Sequence, residues 1–172
     1  MILQRIFASD KLYDKAYQLY QNSFPYLERR DDNGHSLIMQ KPDYHFSVLT
    51  QNEELLGIML YFETDNFIYL EHFAVVPEKR GNGIGAKGVE ILKNIGKTVI
   101  LEIEYPVDEI TNRRLDFYNR NGFKLTTHYH IQAKYHKGDD DLPLKILSFP
   151  SEITASEYKN FKDYLNREVT FL

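Results

Sequence analysis

The stretch Phe73-Ala74-Val75-Val76-Pro77-Glu78-Lys79-Arg80-Gly81-Asn82-Gly83-Ile84-Gly85-Ala86 decides how this chain folds. It runs from an apolar strand, through a short basic turn, into a helix, and Gly81, Gly83 and Gly85 mark the junction. Glycine reaches positive φ and lets ligand oxygens approach the main chain. The first amides of a helix lack internal acceptors and carry the positive end of its dipole. Such a corner is built to hold a diphosphate, with Lys79 and Arg80 adding charge beside it.

Upstream of the junction lie three apolar segments, His45 to Leu49, Leu55 to Phe62 and Phe67 to Val76, separated by the short polar breaks Gln51 to Glu54 and Thr64 to Asn66. Breaks that short predict an antiparallel meander. Before it, Met1 to Phe7 reads as a strand. Ser9-Asp10 offers an N-cap to a helix whose Leu12, Ala16, Leu19 and Tyr20 share a face, and Phe24-Pro25 ends it. A more polar helix or helix-loop is expected over Leu27 to Met39, broken at Asn33-Gly34.

Downstream, the apolar period changes to that of a helix: Ile84, Gly88, Ile91, Leu92 and Ile95 share a face, Gly96 stops it, and Thr98 to Glu104 begins a new strand. A helix over Glu109 to Asn121 follows, then strands over Phe123 to Tyr135 and Leu142 to Phe149. Thr154 to Glu157 has the capping-box form and opens a last helix with Tyr158, Phe161 and Leu165 on one side. A meander joined to one or two crossover helices predicts an α/β (α+β) fold, with a mixed, mostly antiparallel sheet of about seven strands, about four flanking helices and a C-terminal helix.

The chain has 172 residues, enough for one domain with a sizeable core, and no repeat or low-complexity linker divides it. The expectation is a single domain over 1–172, with a core over 1–149 and a helical extension over 150–172. A formal charge of -4 argues against a nucleic-acid surface, so an anion site here is local. The absence of cysteine excludes disulfides, thiolate metal sites and a cysteine-linked acyl intermediate. No apolar run approaches the roughly 18 to 20 residues that span a bilayer, and Met1 to Ala8 is too soon interrupted for a secretory signal; a cytoplasmic location without membrane partners is expected.

Gly83-Ile84-Gly85-Ala86-Lys87-Gly88 also satisfies the dinucleotide pattern G-x-G-x-x-G, and Glu102 follows at a suitable distance. That fingerprint belongs directly after the first strand of a repeated parallel array, whereas here a meander precedes it and Pro77 to Asn82 intervenes. The reading reassigns Gly88 to packing on the sheet and leaves an NAD- or FAD-binding protein as a minor alternative. No Gly-Lys-Ser or Gly-Lys-Thr is present for a Walker A loop.

At these residues the chain resembles the GNAT superfamily of N-acetyltransferases. Its acetyl-CoA signature, R or Q, two residues, G, one residue, G or A, is met by Arg80, Gly83 and Gly85, after a strand end Ala74-Val75-Val76-Pro77. Phe117-Tyr118-Asn119-Arg120-Asn121-Gly122-Phe123 is similar to the second family signature, an aromatic-Tyr pair on a helix followed by Gly-Phe. The resemblance covers residues 1 to about 149. It implies acetyl-CoA as acyl donor, with amides of Arg80, Gly81, Asn82, Gly83, Ile84, Gly85 and Ala86 on its pyrophosphate and the main chain of Ala74, Val75 and Val76 along the pantetheine. It implies that Tyr118 faces the thioester sulfur and an amide of Val75 or Val76 polarises the carbonyl. Asn112 is the candidate for a further CoA contact, although it precedes Tyr118 by six residues where the family asparagine usually stands seven before.

The expected reaction is transfer of the acetyl group to a primary amine. Without cysteine, direct attack in a ternary complex is favoured over a ping-pong route. Tyr118 is the candidate acid. Glu71, which period two sets on one face with Tyr69 and Phe73, is the candidate base, with Glu102 and Glu104 as rivals; a structural ion pair is the ordinary alternative for such a carboxylate. In this superfamily the first helices shape the acceptor pocket, which points to Phe24, Glu28, Arg30 and Tyr44, with Glu28 a candidate to hold an amine and Arg29 and Arg30 a carboxylate, although exposed helix charges are the more ordinary reading of these three. Polyamines, amino acids, aminoglycosides, peptide N-termini and protein lysines all remain open as acceptors, as does monomer or homodimer. His128 and His130 alternate on one strand face as surface residues, and no metal is expected. A CoA-binding sensor or assembly module without turnover is the competing class of function.

Overall fold

The computed structural model describes residues 1–170. Among them the strands are β1 (Ile2–Arg5), β2 (Tyr44–Gln51), β3 (Glu54–Glu63), β4 (Phe67–Val75), β5 (Thr98–Ile103), β6 (Lys124–Leu125), β7 (His130–Ile131) and β8 (Pro143–Phe149). The α-helices are α1 (Tyr13–Ser23), α2 (Asp32–Ile38), α3 (Ile84–Lys93), α4 (Glu109–Arg120) and α5 (Ala155–Tyr164), the last running on into a π-turn at Leu165–Val169. The sheet order is β1-β2-β3-β4-β5-β8-β6, with β7 also on β8, and every pairing except β4 with β5 is antiparallel. This is the mixed, mostly antiparallel sheet expected, and it is not the repeated parallel array of a dinucleotide fold.

Alternation along the strands divides the interior into two cores. Val48, Ile58, Leu60 and Tyr69 face one side, where α1, α2 and α5 bury Ala16, Tyr20, Ile38, Phe161 and Leu165. Leu49, Met59, Tyr61, Ile68 and Leu70 face the other, beneath Val89 and Leu92 of α3 and Tyr118 of α4. The C-terminal helix is therefore part of the first core: the Phe161 ring packs at 5.2 Å from Tyr69 and 5.7 Å from Phe67. Its capping box, Thr154 with Glu157, forms as expected.

Three local expectations are corrected. Asp10 does not cap α1; it turns back to accept from the Phe7 amide at 2.7 Å, and the helix starts at Tyr13. Asn33-Gly34 does not break a helix, because Asp31 caps α2 by accepting from Gly34 N at 2.7 Å and the pair lies inside the first turn. The strand expected over Phe123 to Tyr135 is reduced to β6 and β7, since Thr127 N leaves the ladder for Glu152 Oε1 at 3.1 Å and Tyr129 O accepts from Tyr158 of α5 at 2.7 Å.

Candidate active site

β4 and β5 pair only over Phe67–Leu70 and Thr98–Leu101. Beyond that point β4 stays on β3, with Gly57 opposite Val75, while β5 stays on β8. The two strands part, and a cleft of about 650 Å³ opens between Leu70–Val75 on one wall and Leu101–Glu104 on the other. A bulge in β4 accompanies the split: Leu60 faces His72 and Tyr61 faces Leu70, so Glu71 is the extra residue. The bulge shifts the alternation. Glu71 and His72 both meet the first core, and Phe73 turns to the second, against the far face; the shared face expected for Tyr69, Glu71 and Phe73 is broken.

The parting leaves one main-chain edge of β4 unpaired towards β5. Val76 N donates to Leu56 O of β3 at 2.9 Å, so the Val76 amide is engaged and the polariser expected at Val75 or Val76 is narrowed to Val75, whose amide by alternation faces the cleft. At the end of this edge Val76 leads into a 3-10 turn, Pro77–Lys79, and then the glycine corner. Gly81 and Gly83 stand at φ 81° and 73°, in the left-handed region. Gly83 is the N-cap of α3 and supplies no side chain to its first amides, those of Ile84, Gly85 and Ala86. Arg80 lines the cleft and anchors its Nε on Val75 O at 3.2 Å. Lys79 is instead paired with Glu54 at 2.6 Å. Asn82 folds its side-chain amide onto Lys79 O at 3.2 Å. A Cβ on Gly88 would meet Leu49 Cδ1 at 2.9 Å, which agrees with its packing role.

Tyr118 sits on α4 at the cleft, in ring contact with Phe117 at 5.0 Å and Phe123 at 5.4 Å. Burial pushes its pKa up to about 12, with the Arg114 charge opposing. Asn112 does not join it. Its amide donates to Asp108 O at 2.7 Å, it lies outside the cleft lining, and the position seven before Tyr118 is Thr111, whose hydroxyl completes the α4 capping box with Asp108.

The three carboxylates differ sharply. Glu71 is wholly buried at its side chain, 2.9 Å from Arg30, 3.4 Å from His72 Nδ1, and it accepts from Tyr135 OH at 2.9 Å. Burial pushes its pKa up, but Arg30 and His72 outweigh burial and hold it down to about 2. Such a carboxylate is a weak proton acceptor, so the base expected at Glu71 is better read as an ion-pair partner. Glu102 lines the cleft from β5 and accepts from Tyr69 OH at 2.6 Å and from His130 Nε2. Glu104 is half-exposed and paired with Arg114.

Of the residues expected to meet the acceptor, Phe24 and Glu28 line the cleft with Pro25 and His72, and His72 Nε2 meets Glu28 O at 2.7 Å. Arg30 and Tyr44 do not. Each is 1% exposed; Arg30 is neither a carboxylate anchor nor a solvated helix charge but the internal partner of Glu71, and Tyr44 packs on Phe62 at 5.0 Å. The sequence reading also missed His72, Arg113, Gln132 and Leu142 as lining residues, and placed His130 on the surface, although it is fully buried. The unmatched carboxylate at Glu102, inside an apolar strand, was the signal that a buried partner was needed. His128 meets Ile153 O at 3.2 Å, and among the described residues no group of three His, Cys, Asp or Glu side chains is placed to share a metal ion. No helix of the described residues is long and apolar enough to cross a membrane.

The parted β4 and β5, the glycine-capped α3 at their mouth and Tyr118 beside the gap form one open site. Residues 11–123 match the model of the Acetyltransferase (GNAT) family, and the chain belongs to that family. YjbC of Bacillus subtilis (strain 168), provisionally described as an acetyltransferase, is 34% identical over 114 residues; the match takes in 63% of this chain and 56% of YjbC, little more than half of that relative. A Bacteroides thetaiotaomicron protein provisionally assigned to GNAT acetyltransferases superposes with a TM-score of 0.92 at 29% identity, covering 100% of this chain and 99% of that one. A GNAT acetyltransferase of Elizabethkingia anophelis with acetyl-CoA bound shares the fold, with a TM-score of 0.57 at 17% identity over 86% of this chain and 95% of its own.

Proposed function

We propose that this chain is an acetyl-CoA-dependent N-acetyltransferase acting on a primary amine by direct attack in a ternary complex. The observation that carries this reading is the unpaired edge of β4, which runs between the parted strands and ends at the open N-terminus of α3. A pantetheine arm adds to that edge as a strand would, and the diphosphate meets the free amides of Ile84, Gly85 and Ala86 with Arg80 beside it. The thioester then lies at the split, between Val75 N, Tyr118 and Glu102.

The Val75 amide polarises the thioester carbonyl as negative charge grows on its oxygen. Glu102 takes a proton from the attacking nitrogen, directly or through one water. When the carbon–sulfur bond breaks, Tyr118 donates to the departing thiolate; a phenol held at about 12 keeps its proton until that charge appears. Phe24 and Glu28 face the acceptor.

Acetyl-CoA should raise the melting temperature of the chain, and Gly83→Asp should abolish the rise, because it sets a Cβ at φ 73° and a carboxylate where a diphosphate binds. An unchanged melting temperature at millimolar acetyl-CoA contradicts the reading. A rise with NAD or FAD instead would restore the dinucleotide alternative.

A further inference from the structure

An alkylammonium that becomes an amide loses two protons: the carbon–nitrogen bond forms, the carbon–sulfur bond breaks, one proton ends on the CoA sulfur and one must leave the protein. The cleft itself is occupied by donor and acceptor at that moment. Beyond Glu102 stand two polar groups, His130 and Tyr158, that the reaction as described does not use.

Glu102 Oε1 contacts His130 Nε2, and His130 Nδ1 lies 3.1 Å from the hydroxyl of Tyr158 on α5. His130 is wholly buried, whereas Tyr158 is partly exposed. Tyr158 donates its own hydroxyl proton to Tyr129 O at 2.7 Å, so it offers His130 a lone pair, and Nδ1 is the donor in this arrangement. With Nδ1 protonated, one proton is shared between Nε2 and the Glu102 carboxylate. That is the arrangement of the dyad after it has taken up a proton. Turning the Tyr158 hydroxyl towards Nδ1 restores the proton-poor state, with Nε2–H donating to Glu102.

We propose that Glu102, His130 and Tyr158 form a proton exit from the acceptor cleft to the surface at α5, so that the C-terminal helix supplies the last member of the path. The proposal rests on the reading of Glu102 as the base. One nitrogen proton passes to Glu102, from Glu102 to His130 Nε2, and from Nδ1 through the Tyr158 hydroxyl to water; the second replaces the proton that Tyr118 gives to the sulfur. Of the neighbouring titratable groups, Tyr69 of β4 holds the other oxygen of Glu102, and Lys162 of α5 donates from Nζ to Ile131 O at 2.7 Å. His130 and Tyr158 are positioning and relay residues, since neither touches substrate.

Tyr158→Phe keeps the ring that stacks on His128 at 4.5 Å and removes only the hydroxyl. It should lower kcat by about tenfold, leave the KM for acetyl-CoA unchanged, and make kcat rise with added imidazole, which the unaltered chain should ignore. A merely structural hydroxyl gives no buffer rescue, and an unchanged kcat without imidazole response overturns the proposal. If no amine is turned over, the functional reading fails, but the relay is still decided by nitrogen NMR of the His130 ring. Glu102→Gln should move the Nε2 resonance of the His130 ring and Tyr158→Phe its Nδ1 resonance, because each changes the partner of that nitrogen. Ring resonances indifferent to both substitutions overturn the relay.

Discussion

Glu71 and Glu102 stand on neighbouring strands of one cleft, yet their surroundings differ in kind. A carboxylate between Arg30, His72 and Tyr135 is stabilised as an anion and resists protonation, whereas Glu102 meets a hydroxyl and an imidazole, groups that give and take protons. Glu102→Gln should therefore reduce kcat by about 10²-fold or more while acetyl-CoA still binds. Glu71→Gln should act on stability instead: it leaves the Arg30 guanidinium buried without its counter-ion, a loss of about 3–5 kcal/mol. Urea denaturation beside steady-state kinetics separates the two. Equal catalytic losses in variants of unchanged stability would return the base to Glu71.

At the scale of elements, the strand-turn-helix unit carries two kinds of glycine. Gly83 stands at φ 73° with open space where a Cβ would point, while Gly88 lets α3 press on β2 and β3. Gly88→Val should destabilise the fold by about 1–3 kcal/mol, because its Cβ meets Leu49 at 2.9 Å, yet the folded fraction should bind acetyl-CoA as before, as calorimetry would show. Loss of binding in a stable Gly88→Val protein would mean the glycine serves the ligand after all. This unit, the meander before it and the capping box of the last helix were legible in the sequence because each rests on local patterns of glycine, caps and apolar period. Thr154 with Glu157 is satisfied within four residues. What was not legible depends on contacts between distant segments. Nothing near Glu71 in the chain announces the bulge that turns Phe73 to the other face, nor that Arg30, forty-one positions away, will lie against it. Tyr129 leaves its expected strand because of Tyr158, twenty-nine positions on.

For the molecule as a whole, the core between the sheet and α1, α2 and α5 encloses a set of ionisable groups that makes stability depend on pH. Burial, with the Arg30 charge, lowers His35 from 6.5 to about 4. The unfolded chain thus binds a proton at His35 below 6.5 that the folded chain refuses until about 4, so stability is complete above 6.5 and falls as pH drops through that window. Glu71 adds to the fall from 4.5 towards 2, where the unfolded carboxyl protonates first. The melting temperature should be level above about pH 7 and decline steadily below 6.5, with His35→Gln flattening the upper part of the decline. A melting temperature constant down to pH 5 would contradict this account of the core. If the parted strands seat acetyl-CoA for attack by an amine beside Tyr118, free-thiol release across a panel of amines will show it: the unaltered chain should release thiol only with an amine present, and Tyr118→Phe should lose about 10²-fold or more while still binding CoA. A chain that binds CoA but releases no thiol with any amine, or a Tyr118→Phe variant as fast as the original, would contradict it.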